Sequence, residues 1–147
     1  MKPTPTIRVR NAQRKVRVEL ARLQTFAGAA VRAALRLRGR RRGGLHELQE
    51  VLVVLVSDAR IAALHERFMQ IAGPTDVITF QHGEIFISTE TARRNARRFR
   101  TTTDAEIRLY LAHGLLHLLG FDDTTPRAAR AMAKAQERLV SAAEAAM

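Results

Sequence analysis

At 147 residues the chain is long enough for one compact domain and short for two, and its apolar fraction of 46% excludes a wholly disordered or fibrous protein. The absence of cysteine rules out disulfides, thiolate metal sites and a cysteine nucleophile, leaving histidine and carboxylate side chains to hold any metal. With 25 Lys and Arg against 14 Asp and Glu, the net charge of +11 favours a polyanionic partner such as RNA, DNA or a ribosomal surface, although arginine used only to solubilise the surface gives the same excess.

The start Met1-Lys2-Pro3-Thr4 lacks the apolar core of a secretory signal, and no window approaches the ~18 apolar residues of a membrane span. A cytoplasmic protein with no membrane partner is expected. After an extended segment containing Ile7 and Val9, apolar residues recur at helical spacing from Val16 to Leu37, which predicts an amphipathic helix. Gly39 ends it, and Arg36 through Arg42 form a basic turn closed by Gly43-Gly44. That turn reads equally as a solvated helix end or as a phosphate contact through Arg40–Arg42.

The run from Glu50 to Val56 is β-branched and continuously apolar, as in a central strand covered on both faces. Ser57 or Asp58 can cap a short helix reaching Phe68, and Gly73-Pro74 breaks the chain before strands at Asp76–Phe80 and Glu84–Ser88, joined as a hairpin through Gln81-His82-Gly83. A helix opening at Thr89 carries Arg93, Arg94 and Arg97. Thr103 and Glu106 have capping-box spacing ahead of a helix at Asp104–Leu119, stopped by Gly120. Pro126 suits the first turn of a last helix through Met132, Leu139 and Val140. These elements predict a single α+β domain over residues 1–147, with one mixed sheet of about four strands packed with about five helices.

Leu109, Leu111, Leu115, Leu116, Leu118 and Leu119 cover so much of the penultimate helix that its polar residues need a reason to be there. His113 and His117, four apart, place two imidazoles on one face at a spacing suited to chelating one ion. A left-handed turn at Gly120 lets the chain double back, making Asp122 and Asp123 candidates for a third ligand. Zinc peptidases place a glutamate base directly after the first histidine, where this chain has Gly114.

The segment His113-Gly114-Leu115-Leu116-His117-Leu118-Leu119-Gly120-Phe121-Asp122 resembles the HGxLHLxG[YF]D signature of the YbeY family of rRNA maturation endoribonucleases. Pro74-Thr75-Asp76-Val77-Ile78-Thr79-Phe80 resembles that family's PTDVLSF, and Gly83 through Ser88 its GDI-x-IS strand, in matching order from about Val51 onward. The resemblance implies an endoribonuclease with one Zn2+ per chain that cuts single strands, in 16S rRNA 3′-end maturation and ribosome quality control, with rRNA and the small ribosomal subunit as partners. It implies His113, His117 and Asp123 as metal ligands, Asp123 standing where the family has a third histidine. Met69 occupies the place of an arginine implicated in the family's nuclease activity, and His65 that of an asparagine, while Phe68 keeps an aromatic. Arg60, Arg67, Arg93, Arg94 and Arg97 are the candidates for RNA phosphate contacts. Thr75, Asp76 and Glu84 read equally as structural residues, and His46 and His82 as surface ones. Two other functions fit the same residues: a non-catalytic, zinc-stabilised ribosome-assembly module, and a zinc hydrolase of peptide or amide bonds using Asp122 or Glu84 as base.

Overall fold

A computed structural model describes residues 4–37 and 44–147; the basic turn at Arg40–Arg42, with Gly39 and Gly43, lies outside the described residues. In chain order the elements are β1 (Thr6–Asn11), α1 (Leu20–Leu35), a short 3-10 turn (Leu45–Glu47), β2 (Glu50–Val56), α2 (Asp58–Met69), β3 (Val77–Phe80), β4 (Glu84–Ser88), α3 (Thr89–Phe99), α4 (Thr103–Leu118) and α5 (Pro126–Ala145). The expected α+β architecture is observed: one four-stranded mixed sheet in the order β1-β2-β4-β3, with β1, β2 and β4 parallel and β3 antiparallel to β4. No helix among the described residues is long and apolar enough to cross a membrane.

The alternation of β2 explains its unbroken apolar sequence. Val51, Val53 and Leu55 are fully buried in the main core, which α1, α4 and α5 build against one face of the sheet, while Val54 and Val56 point into a smaller core with Ile61 of α2 and Ile78 of β3. Serine or threonine caps α2 to α5: Ser57, Ser88, Thr102 and Thr125 each accept a bond from the backbone N–H three residues on.

Two local expectations need correction. Helix α1 begins at Leu20, not Val16, because the Gln13 side chain closes a turn on Val16, accepting from its N–H at 2.9 Å and donating to its carbonyl at 2.8 Å. Val16 is buried by that turn rather than by a helix. The cap of α4 is Thr102, one residue before the expected Thr103, and Glu106 accepts from Thr101 Oγ1 at 3.0 Å and from Tyr110 at 3.3 Å instead of closing a capping box.

Helix α4 lies close on the sheet because it carries Gly114 at the crossing. A Cβ at that position would meet Cδ1 and Cγ2 of the fully buried Ile85 at 2.8 Å. An alanine in a helix interior ordinarily stabilises by about 1 kcal/mol relative to glycine, whereas overpacking a rigid core costs about 1–3 kcal/mol. Gly114→Ala is therefore expected to lower stability, and Ile85→Ala, itself costly, should absorb that loss in the double variant. Denaturant unfolding of the four proteins measures the coupling, and additive effects would show that close approach is not the reason for the glycine.

Candidate metal centre

On α4, His113 and His117 project from one face into a cleft of about 560 Å³. Their rings meet edge to face, with centroids 4.6 Å apart, and their Nε2 atoms are 3.0 Å from each other. The two Nδ1 atoms point away to fixed acceptors: His117 donates to the carbonyl of Phe121 at 3.1 Å, and His113 to the amide oxygen of Gln136 at 2.8 Å, with that oxygen assigned toward the ring. Donation from Nδ1 leaves each Nε2 with its lone pair exposed. Two lone pairs 3.0 Å apart repel, and a cation between them turns the same geometry into attraction.

The third donor arrives through a reversal of the chain. Gly120 takes φ +103°, its N–H reaches the carbonyl of His117 at 3.0 Å, and Phe121 N–H reaches that of Leu116 at 3.0 Å, closing the helix end. The Phe121 ring is buried, and Asp122 accepts from the N–H and hydroxyl of Thr124 at 3.1 and 2.8 Å, holding the next turn. Asp123 is the carboxylate brought to the histidines: one ligand atom from each of His113, His117 and Asp123 lies within 4.8 Å of the others. Two imidazoles and one carboxylate, with Asp123 exposed to the cleft, fit an ion that takes three protein ligands and keeps an open position.

Burial lowers the pKa of His117, with the neighbouring His113 adding to the effect, so His117 stays neutral and able to ligate at lower pH than an exposed histidine. Behind His113 a cavity of about 90 Å³ is bounded by Asp76, Tyr110 and Gln136. Burial pushes the Tyr110 phenol up to about 12, which keeps it protonated as it donates to Glu106.

One wall of the cleft comes from the end of α2 and the loop after it, through His65, Met69 and Ile71; its floor is the unpaired edge of β3, with Asp76, Thr79 and Gln81. His65 bonds the carbonyl of Gly73 through Nδ1 at 3.0 Å, holding that loop. Asp76 accepts from Val77 N–H at 2.8 Å and so has a structural role at the start of β3. Glu84 lies outside the cleft lining, paired with His82, so His82 has the partner that sequence could not identify.

None of the five candidate arginines lines the cleft. Arg94 is bound to Asp58 and Thr91, and Arg93 donates to the Lys15 carbonyl at 3.4 Å. Burial opposes ionisation of Asp58, but hydrogen bonds from Arg94, Ser88 and Thr91 outweigh it and hold its pKa below the ordinary carboxylate value. Arg67 lies over the Phe68 ring, Arg60 beside a groove on the opposite face of the sheet, and Arg97 on the exposed side of α3.

Gln136 was missed by sequence reasoning. Its signal is a polar side chain on the stripe of α5 that includes Met132, Leu139 and Ala143, visible in the heptad pattern but without a partner until α5 is packed on α4. Gln136→Leu is expected to weaken divalent-metal binding about 10–100-fold, and Gln136→Glu, which keeps the acceptor, to restore it. Competition titration with a chromophoric chelator reads both; an unchanged affinity in the leucine variant would release Gln136 from this positioning role.

Compared with known proteins, residues 8–144 match the family model described as Endoribonuclease YbeY. The chain is 40% identical over 124 residues to the Endoribonuclease YbeY of Anaeromyxobacter sp. strain Fw109-5, covering 75% of this chain and 65% of that protein. It is 38% identical over 137 residues to that of Anaeromyxobacter dehalogenans strain 2CP-C, covering 84% and 71%. The chain thus spans about two thirds of the length of these relatives. The solution structure of TM1509 from Thermotoga maritima is similar at TM-score 0.65 and 26% identity, over 93% of this chain and 88% of that one.

Proposed function

The chain belongs to the YbeY endoribonuclease family, and from that membership we propose that it is a zinc-dependent endoribonuclease acting on single-stranded RNA. The observation that carries this reading is the convergence of His113, His117 and Asp123 beside an open cleft. The finer assignments are 16S rRNA 3′-end maturation and ribosome quality control, with the small ribosomal subunit as partner, by a single domain over residues 1–147 in the cytoplasm. The charge of +11 supports a polyanionic substrate.

His113, His117 and Asp123 would hold one zinc ion per chain, which when bound supplies a Lewis acid and lowers the pKa of a coordinated water toward ~7. Gln136 and the Phe121 carbonyl keep both Nδ1 atoms protonated and both Nε2 atoms turned to the shared centre. Asp123 reduces the formal charge at the ion from +2 to about +1, making it a milder Lewis acid than with three neutral ligands. The α2 side of the cleft, lined by His65, Met69 and Ile71, offers no arginine, so phosphate would be held by arginines outside the cleft lining, among them Arg60, Arg67 and Arg97. Gly114 faces Ile85, so the base position of zinc peptidases is filled by packing, which weighs against a peptidase.

A second reading, a ribosome-assembly module with structural zinc, is favoured by Met69 and by the lack of arginine in the cleft lining among the described residues. Elemental analysis with a cleavage assay on single-stranded and duplex RNA separates the two. The nuclease reading expects near-stoichiometric zinc, single-strand cleavage, and loss of both metal and cleavage in the His113→Ala/His117→Ala double variant. Stoichiometric zinc with no cleavage of any RNA favours the assembly module, and full metal retention by the double variant overturns the site itself. Asp123→Ala should weaken zinc binding while Asp123→His retains it, because histidine and carboxylate are both competent ligands.

A further inference from the structure

Of the six large apolar side chains more than a third exposed among the described residues, three stand together at the end of α2: Phe68 at 51%, Met69 at 41% and Ile71 at 51%. A cluster of this kind beside a functional cleft marks a contact surface. Phe68 begins a series of aromatic rings. It meets Phe80 edge-on at 5.2 Å; Phe80 stacks on His82 at 5.7 Å with 19° between planes and meets Phe86 edge-on at 5.8 Å. Phe80 and Phe86 also pack against the small core of Val54, Val56, Ile61 and Ile78, which fixes their places, whereas Phe68 is not part of that core. At one end Met69 and Gln81, each adjacent in sequence to a ring of this series, line the metal cleft. At the other, Phe86 lines a groove of about 340 Å³ on the opposite face of the sheet, flanked by Arg10 and Arg60.

We propose that Phe68, Phe80, His82 and Phe86 form a base-stacking track that seats unpaired nucleotides of an RNA strand leading to the metal cleft. The proposal rests on the RNA-cleaving reading and adds to it a route for the strand. Rings presented one after another with cations at their margins suit single-stranded nucleic acid, whose bases supply π faces and whose phosphates pair with arginine. Arg67 sits over Phe68 at 5.3 Å, and Arg10 and Arg60 flank the far groove. The opposing carboxylate there, Glu84, is engaged by His82. A neutral or basic peptide would gain from the apolar surface but not from the net charge of +11, and an acidic peptide offers no regular series of π faces, so charge and stacking together favour RNA. Stacking also gives the site a means of selecting unpaired RNA, since bases within a duplex cannot be laid on side-chain rings.

The protein with its metal bound is titrated into fluorescently labelled RNAs read by anisotropy, each reading being accepted only where a denaturing gel shows the RNA still intact. The RNAs are a single-stranded oligoribonucleotide, its duplex and an abasic strand of equal length. Phe68→Ala is expected to weaken single-strand binding about 5–100-fold, with Phe68→Tyr restoring it, because loss of one base–ring stack has that effect. The abasic strand should bind weakly and equally to both proteins, and the dependence on salt should be unchanged by Phe68→Ala, because no phosphate contact is removed. Phe68 is half-exposed, so its variants keep the fold. Equal single-strand affinity for Phe68→Ala and the parent, or the same loss on the abasic strand, overturns the track while leaving the nuclease reading in place. A parent protein that binds none of the three RNAs overturns both.

Discussion

At Gly120 the chain leaves α4 with φ +103°, a conformation that costs a residue with a Cβ and costs glycine little. Everything in the candidate metal centre beyond the two histidines depends on that reversal. It turns the Phe121 carbonyl back toward His117 Nδ1, buries the Phe121 ring as an anchor, and delivers Asp123 to the side of α4 on which both imidazoles project. A helix continuing past Leu118 would carry the next carboxylates onward along its axis, away from His113. The left-handed residue is thus both helix terminator and the means by which residues ten apart in sequence share one centre.

The histidines are held by two different kinds of acceptor, and the difference has a structural origin. His117 is satisfied by backbone from its own helix end, a contact that forms whenever the turn forms. His113, one turn earlier, has no free carbonyl of its own helix to use and is satisfied by Gln136 from α5. Orientation of His113 is therefore a tertiary property, set by how α5 packs on α4, while orientation of His117 is local. Gly114 joins the same arrangement from the opposite side, since the absence of its side chain lets α4 settle onto Ile85 and fixes the depth of the helix below the cleft.

Much of this was legible in the sequence wherever the determining interaction is local. The run Glu50 to Val56 is strand β2 without adjustment, because a strand buried on both faces leaves no alternation to misread. The histidine pair and the glycine stop follow from helix geometry alone. Errors arose where a side chain overrides the local pattern: Gln13 captures the backbone of Val16 and delays α1, and Thr102 caps α4 while Glu106 turns to Thr101 and Tyr110. The partner of Gln136 and the aromatic series escape the sequence for another reason. Each is a relation between elements distant in the chain, α4 with α5 in one case and α2 with the β3–β4 hairpin in the other, and no spacing within a single element encodes it.

The charge distribution bears on how such a site meets a polyanion. The arginines of α3 were attractive candidates because they cluster in sequence, yet the structure divides them by partner: Arg94 is bound to Asp58 and Arg93 reaches the Lys15 carbonyl, leaving Arg97 on the outer side of the helix. A cation committed to a carboxylate contributes little to an incoming phosphate, because the two ends of the pair nearly cancel beyond a Debye length of about 8–10 Å. The formal charge of +11 already nets such pairs out but does not say where the remaining cations stand, and what matters near the cleft is the local balance. Among the described residues the lining there carries three histidines, two aspartates, two threonines, a glutamine and apolar side chains, with no arginine. A polyanion drawn in by the long-range field would find few cationic partners in the cleft, and its hold there would fall to contacts that carry no charge. An apolar and aromatic margin beside the histidine pair is the kind of surface that such a balance requires.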